Sequence, residues 1–134
     1  MCGIVGIIGD TAVSPALFTA MKKLEYRGYD SAGIATLADS RLEIRKGTGK
    51  LDQVEKACGL TLLPGTLAIG HVRWATHGSV TPANSHPHSD CSGRIAVVHN
   101  GIIENYLELH DTSLSRHTFT SQTDTEVIAH LIED

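Results

Sequence analysis

Short apolar runs separated by polar segments predict that strands and helices are interspersed along this chain. Residues 3–9 are apolar and β-branched, which predicts a buried strand. A helical spacing of three and four follows at the apolar positions Leu17, Ala20, Met21 and Leu24. Those positions share one face of a helix. Ser14-Pro15 supplies a predicted N-cap and a first-turn proline for this helix, and Arg27-Gly28 is predicted to end it.

The middle of the chain continues with shorter elements. The pattern predicts strands at 32–38 and 42–46 across a turn at Asp39-Ser40, a helix over 50–58, and a strand over 66–72 after the breaker Pro64-Gly65. Residues 73–93 are rich in Gly, Pro, Ser, Asn and His and show no usable period. A loop of that length inside a compact domain is usually functional.

The last third is predicted to hold a strand at 94–99, a helix at 102–110 and a final helix. That final helix is predicted to begin at a capping box formed by Thr123 and Glu126. Its apolar face would consist of Val127, Ile128, Leu131 and Ile132. Because strands dominate and no βαβ unit repeats, the sequence predicts an α+β fold with mainly antiparallel sheets.

Composition narrows the function classes. A chain of 134 residues corresponds to one domain, and its net charge of −4 gives no basic footprint for nucleic acid. No apolar run reaches the length of a membrane span. Three cysteines without framework spacing indicate free thiols in a reducing cytoplasm.

Cys2 follows the initiator methionine directly. Once Met1 is removed, the thiol and the free α-amine belong to one residue, with unperturbed pKa values of about 8.5 and about 7.7–8.0. Near neutral pH that amine can accept the thiol proton and return it to a leaving group. The alternative is that Cys2 only opens a buried strand.

Polar residues at the ends of predicted elements are further candidates. Arg73 follows a strand and suits a carboxylate, or it is a surface arginine in an ion pair. Asn100-Gly101 forms either an oxyanion site or a type I′ hairpin turn. Asp124 binds an ammonium group or only complements a helix dipole, and Trp74 is a core anchor or a functional gate.

The histidine-rich segment raises the question of a metal. His86, His88, Cys91 and His99 lie within fourteen residues of each other. Their spacing matches no structural zinc pattern, so we predict no metal. Cys58 and Cys91 are predicted to be inert thiols, Cys58 on the inward face of a helix.

Six segments, in this order, carry a resemblance to a known family: MCGIVG at 1–6, LEYRGYDSAG at 24–33, HVRWATHG at 71–78, NSHPH at 84–88, VVHNGIIENY at 97–106 and TDTEVIAHLIE at 123–133. Together they resemble the glutaminase domain of class II glutamine amidotransferases, a branch of the N-terminal-nucleophile hydrolases. The later segments are closest to the members that transfer ammonia to fructose 6-phosphate. Amidophosphoribosyltransferases and asparagine synthetases share the opening more than the rest.

The resemblance implies a role for each matching residue. Cys2 would attack the side-chain amide of L-glutamine, with its own α-amine as base, and Asn100 and Gly101 would form the oxyanion hole. The remaining assignments are Arg73 to the substrate carboxylate, Asp124 to its ammonium, Thr76 and His77 to a closing loop, Trp74 to gating of ammonia, and Arg27 to a place near the nucleophile. No metal or cofactor is implied.

The resemblance also implies an αββα sandwich of antiparallel sheets that continues beyond Asp134, so that residues 1–134 are an incomplete glutaminase domain. Sugar-isomerase domains that bind fructose 6-phosphate would follow in the full-length enzyme, which is expected to be a cytoplasmic homodimer. Two alternatives remain: another class II amidotransferase, such as an amidophosphoribosyltransferase, or a catalytically silent fragment that binds glutamine or self-associates.

Overall fold

The computed structural model describes residues 1–75 and 78–134, and its helices and strands alternate along the chain. The strands are β1 (Gly3–Ile8), β2 (Ser31–Ala38), β3 (Arg41–Thr48), β4 (Leu67–Arg73), β5 (His88–Ser89) and β6 (Ala96–Val97). The helices are α1 (Ser14–Leu24), α2 (Leu51–Cys58), α3 (Tyr106–Asp111) and α4 (Glu126–Glu133). Single 3₁₀ turns lie at Glu25–Arg27 and Leu60–Leu62.

Four of the strands form an antiparallel sheet in the order β1-β4-β2-β3. The predicted turn between β2 and β3 is confirmed: Asp39 and Ser40 have φ values of 48° and 62°. Positive φ at both central residues is the type I′ geometry that matches the twist of a hairpin. The sheet therefore has β4 in its interior, where both neighbours fix the direction of its side chains.

The main core lies between this sheet and the helices α1 and α2. Leu17 and Met21 of α1 are fully buried against Ala68 and Val72 of β4. Each large side chain buried in this way contributes about 1.5–3 kcal/mol. Gly70 permits the close approach, because a Cβ there would lie 2.4 Å from the Met21 sulfur.

A second, two-stranded sheet of β5 and β6 lies on the opposite side, with α4 packed against it. The Lys46 ammonium on β3 holds the segment before β5 by donating to the carbonyls of Ala83, Ser85 and Pro87 at 3.3, 2.7 and 2.9 Å. The layers are therefore helix, sheet, sheet, helix. This confirms the predicted α+β sandwich of antiparallel sheets, with a small second sheet.

Two strand predictions were wrong in detail. β1 is an edge strand with alternating burial, and Ile4 and Ile8 are exposed, so it is not a buried strand. The strand predicted at 94–99 shrinks to Ala96–Val97. Its first residues are drawn into a turn because the Asp90 carboxylate accepts the N–H groups of Arg94 and Ile95, both at 2.8 Å.

The predicted helix starts also need correction. Ser14 is the first residue of α1 and not its N-cap, because its hydroxyl donates to the carbonyls of Thr61 and Leu63. The capping box at Thr123 is absent, since the Glu126 carboxylate accepts the backbone N–H groups of Thr120 and Ser121 instead. The helix predicted at 102–110 begins only at Tyr106.

Part of the main sheet carries exposed apolar side chains. Ile8, Leu67 and Leu37 lie side by side on β1, β4 and β2, on the face away from α1 and α2, and are 77, 41 and 40% exposed. Among residues 1–75 and 78–134, no helix has the length and apolar character needed to cross a bilayer.

Candidate active site

The register of β1 against β4 determines the position of Cys2. Gly3 pairs with Val72, so Cys2 falls beside Arg73 and Trp74 at the end of β4. The Trp74 N–H lies 3.1 Å from the Cys2 sulfur and is directed at it. The Trp74 carbonyl lies 3.4 Å from the same sulfur and can accept the thiol proton. Cys2 is half-buried, and the strand that it precedes is an edge strand with alternating burial and not a buried one.

The segment that follows α1 supports the Cys2 backbone. Arg27 donates from Nε to the Cys2 carbonyl at 3.1 Å. Gly28 is required next to it, because a Cβ there would lie 2.6–2.8 Å from the backbone of Arg73 and Trp74. The Asp30 carboxylate accepts the Ala75 N–H at 2.9 Å and so anchors the chain just after β4.

Asn100 and Gly101 line the cavity that Cys2 also lines. Asn100 does not have a positive φ, so this pair is not the type I′ turn considered above. His71 Nε2 lies 2.8 Å from the Asn100 side-chain oxygen. Burial keeps this imidazole neutral, and because the Asn100 oxygen can only accept, Nε2 carries the donated proton. The Asn100 NH₂ group takes no part in this bond, and Asn100 lines the cavity. A Cβ at Gly101 would lie 2.8 Å from the His99 ring, which excludes larger residues.

Arg73 and Asp124 provide opposite charges in the same region. Both are almost fully buried, at 3 and 4% exposure. Burial lowers the pKa of Arg73, and the charges of Cys2, Asp30 and Asp124 oppose this effect. One Asp124 oxygen accepts the Ile103 N–H at 2.7 Å, which fixes the carboxylate. This pair is suited to a zwitterion that carries both a carboxylate and an ammonium group.

One cavity of about 330 Å³ collects these groups. Its lining includes the predicted residues Cys2, Arg27, Arg73, Trp74, Asn100, Gly101 and Asp124. Trp74 is 46% exposed and contacts Tyr29 edge to face, so it is not a core anchor. Thr76 and His77, also predicted for this pocket, lie outside the described residues.

Sequence reasoning missed several residues of the site. The additional lining residues are Met1, His86, His99, Ile102, Thr123 and Thr125, and His71 lies behind Asn100. The sequence places His71 in strand 66–72 and in the segment HVRWATHG but predicts no role for it in the site. The signal available for it was that a histidine interrupts an otherwise apolar strand two residues before Arg73.

Three histidine rings stack beneath the cavity. His71 and His86 lie face to face at 4.1 Å between ring centroids, and His88 contacts His86 edge to face at 4.6 Å. Burial lowers the pKa of His71 to about 4 and that of His88 to about 3. The pKa of His86 is also lowered, mainly by burial and then by its positively charged neighbours. All three rings are therefore neutral near pH 7.

These three buried histidines predict that the free energy of unfolding falls already at pH values above the range in which carboxylates titrate. The unfolded chain protonates each ring near pH 6.5, whereas the folded chain does not until about pH 4 or below. The unfolded state thus binds more protons, and stability falls as the pH drops from 7 to 5, by about 2 kcal/mol for each ring. Urea unfolding at the two pH values measures this change. His88→Gln should reduce the difference, whereas His110→Ala, which changes an exposed ring, should not; equal stability at pH 7 and 5 would contradict the prediction.

The zinc interpretation of the histidine-rich segment placed Cys91 with His86 and His88. In the structure Cys91 lies elsewhere, with its sulfur 3.6 Å from His117 Nδ1 and 3.7 Å from His130 Nδ1. His88 Nε2 instead lies 2.9 Å from the Thr123 hydroxyl. His88 therefore connects β5 to Thr123 in the wall of the cavity.

Comparison with known proteins agrees with this geometry. The family model described as "Glutamine amidotransferase domain" matches residues 59–134. A Pyrococcus horikoshii protein named glutamine–fructose-6-phosphate aminotransferase [isomerizing] is 56% identical over the whole chain. A Methanothermobacter thermautotrophicus protein of the same name is 58% identical over 99% of it. The chain spans only 23% of the length of either relative.

Solved structures show the same fold at lower identity. A glutamine phosphoribosylpyrophosphate amidotransferase from B. subtilis, complexed with ADP and GMP, matches with a TM-score of 0.83 and 31% identity. A structure titled as the allosteric regulatory enzyme of purine biosynthesis matches with a TM-score of 0.84 and 32% identity. Each match covers 99% of this chain and 29% of the other. The chain belongs to the glutamine amidotransferase domain family.

Proposed function

We propose that this chain hydrolyses the side-chain amide of L-glutamine through a thioester on Cys2. The observation that carries the proposal is the convergence of a thiol, an amide donor pair and two opposite charges on one cavity. That set matches the parts of glutamine: an amide to be attacked and an α-carboxylate and α-ammonium to be held.

The first step forms the thioester. After removal of Met1, the Cys2 α-amine takes the thiol proton, and the sulfur attacks the amide carbon. The Trp74 N–H at 3.1 Å stabilises the developing thiolate. The C–N bond then breaks, and the same α-ammonium returns its proton to the leaving nitrogen, so that ammonia departs. Water attacks the thioester in the second step and releases glutamate.

The oxyanion of both tetrahedral intermediates faces the Asn100 NH₂ group and the Gly101 N–H. His71 acts as a positioning residue, because its bond to the Asn100 oxygen fixes that oxygen and leaves the amide nitrogen to donate to the oxyanion. Donors fixed before the reaction lower its barrier without reorganisation, and one such donor is typically worth about 10²–10³ in rate.

Substrate selection in this proposal depends on Arg73 and Asp124. The Arg73 guanidinium binds the α-carboxylate and the Asp124 carboxylate binds the α-ammonium. The proposal also keeps Thr76 and His77 on the loop that closes over glutamine, and Trp74 at the cavity rim as the gate for ammonia. Arg27 supports the Cys2 backbone through its carbonyl.

We further propose that the ammonia serves the synthesis of glucosamine 6-phosphate from fructose 6-phosphate in a longer protein. Identities of 56 and 58% to relatives with that aminotransferase name support this acceptor over a phosphoribosyl one, for which the identity is 31%. In this view residues 1–134 are part of a glutaminase domain, and isomerase domains and homodimerisation belong to the whole protein.

The exposed apolar side chains of Ile8, Leu37 and Leu67 suit a sheet that is covered by a further part of the chain. The free state of Cys2, Cys58 and Cys91 suits a cytoplasmic location.

The direct test is hydrolysis of glutamine by the purified chain. Glutamate and ammonia should appear in equal amounts, and asparagine, whose amide is one methylene short, should react far more slowly. A folded chain that begins at Cys2 and releases no glutamate above the buffer rate would overturn the proposal. Glutamine binding without turnover would indicate the silent binding fragment instead.

Replacing Arg73 by alanine should raise the KM for glutamine by about 10–100-fold. The reason is the loss of one charge-assisted contact, worth about 1.5–3 kcal/mol. Wild-type protein should bind glutamine more tightly than its α-amide, which lacks the carboxylate, and Arg73→Ala should bind the two alike. Arg116→Ala, which changes an exposed arginine, is the matched control. A variant that still discriminates between the two ligands would contradict the role of Arg73.

A further inference from the structure

A second group of chemically reactive side chains lies away from the cavity. It consists of Cys91, His117, His130 and Glu133, here called the Cys91 cluster. Cys91 belongs to the turn between β5 and β6, His117 to the segment between α3 and α4, and the other two to α4, one turn apart. The cluster therefore joins three parts of the chain that are distant in sequence.

Potential ligand atoms of the cluster converge on one point. The Glu133 oxygen Oε2 lies 3.0 Å from His117 Nδ1 and 3.2 Å from His130 Nδ1. The Cys91 sulfur lies 3.6 and 3.7 Å from the same two nitrogens. All four atoms lie within 4.8 Å of one another. Potential ligand atoms from four residues therefore lie close enough together to share one ion.

These distances fit a tetrahedral zinc site. Bonds of about 2.0–2.3 Å to nitrogen, oxygen and sulfur place neighbouring ligand atoms about 3.3–3.6 Å apart. The four separations given above require shifts of only a few tenths of an ångström to reach those values, and the other two lie within 4.8 Å. A thiolate and a carboxylate also balance the charge of a divalent cation, while both imidazoles bind as neutral ligands.

The surroundings of the cluster support the same interpretation. His117 Nε2 lies 3.0 Å from an Asp134 oxygen, and His130 Nε2 lies 3.7 Å from a Glu126 oxygen. The first contact is a hydrogen bond, and a carboxylate behind a metal-bound imidazole is the usual outer-shell arrangement, because it orients the ring and raises its basicity. The second contact is too long for a hydrogen bond, and His130 Nε2 has no hydrogen-bond partner among the residues that the structure describes. The Thr118 N–H approaches the Cys91 sulfur at 3.4 Å and can donate to it. Cys91 is exposed, so an ion has a path of entry.

We propose that Cys91, His117, His130 and Glu133 form a structural zinc site. The four protein ligands leave no open position for a catalytic water, so the site fastens elements together. It links α4 to the β5–β6 turn, and the residues that precede α4, Thr123 to Thr125, line the glutamine cavity. The site does not depend on the function proposed for that cavity.

Metal binding to the purified chain tests this inference without an activity assay. After chelation and dialysis, the chain should take up one zinc per molecule, and zinc should raise the thermal midpoint. Cobalt should give the thiolate charge-transfer band and the strong visible bands of a tetrahedral complex. Cys91→Ser and His117→Ala should each weaken zinc binding by at least about 100-fold, since even outer-shell losses cost about 10–100-fold.

Matched variants distinguish this site from other thiols and histidines. Cys58→Ser and His110→Ala should keep the stoichiometry and the cobalt spectrum, and Cys2→Ala should keep the charge-transfer band. Unchanged zinc uptake in Cys91→Ser, or no zinc uptake by the wild-type chain, would overturn the proposal. A Tm of Cys91→Ser in chelator equal to that of wild type would show that the variant is folded, so that its loss of binding can be assigned to the ligand.

Discussion

Replacing Cys2 by alanine is expected to lower glutamate release at least about 10⁴-fold. In the proposed mechanism the sulfur forms the bond to the amide carbon, and loss of a catalytic nucleophile typically removes most of the rate enhancement. The chain should still fold, because Cys2 lies before β1 and is half-buried at the cavity wall. Its affinity for glutamine should change little, since Arg73 and Asp124 remain. Steady-state release of glutamate and equilibrium binding of glutamine measure the two effects separately.

Covalent labelling identifies the nucleophile independently of turnover. An electrophilic glutamine analogue should add once per chain, and peptide mapping should place the adduct on Cys2. Cys58→Ala is the matched control, because this thiol packs against the core at the end of α2 and should not contribute to labelling. Labelling that persists in Cys2→Ala would assign the chemistry to another nucleophile.

Asn100→Ala should lower kcat by about 10²–10³-fold and change the KM for glutamine much less. The amide donor meets a charge that exists only in the tetrahedral intermediates, so its loss affects the transition state more than substrate binding. Asn100→Asp tests the same point, because a carboxylate cannot donate to an oxyanion. Both kinetic constants follow from initial rates of glutamate release.

The matched control for this prediction is Asn105→Ala. Asn105 precedes α3, is exposed and makes no side-chain cap bond, so its loss should leave both constants nearly unchanged. A rise in KM with an unchanged kcat in Asn100→Ala would contradict the oxyanion role. That result would make Asn100 a residue for ground-state binding.

Local sequence patterns predicted the main sheet well, because its elements follow local rules. The helix face of α1 and the Asp39-Ser40 turn depend on spacing and on backbone preferences. The short second sheet was predicted poorly, since β5 and β6 pair over only two residues each. Here the Asp90 carboxylate accepts the N–H of Ile95, which the local pattern assigned to a strand. The Glu126 carboxylate accepts the N–H of Ser121 instead of that of Thr123, which a capping box would use.

The residues of the cavity also divide into those that the sequence could predict and those that it could not. Cys2, Arg73 and Asn100 could be named because their chemistry is visible in the side chain itself and in the resemblance to a family. His71 and the Cys91 cluster could not, because their roles arise from pairings across distant elements, such as His71 with Asn100 and Cys91 with His130. Only the strand register and the packing of α4 bring these residues together.

The α-amine of Cys2 is the base on which the proposed mechanism depends, and it exists only in chains that have lost Met1. Protein prepared with Met1 retained can be treated with methionine aminopeptidase for increasing times. In each sample, intact mass gives the fraction of chains that begin at Cys2, and an assay gives the rate of glutamate release. The account predicts that activity rises from near zero in proportion to that fraction. Full activity in chains that still carry Met1 would contradict it.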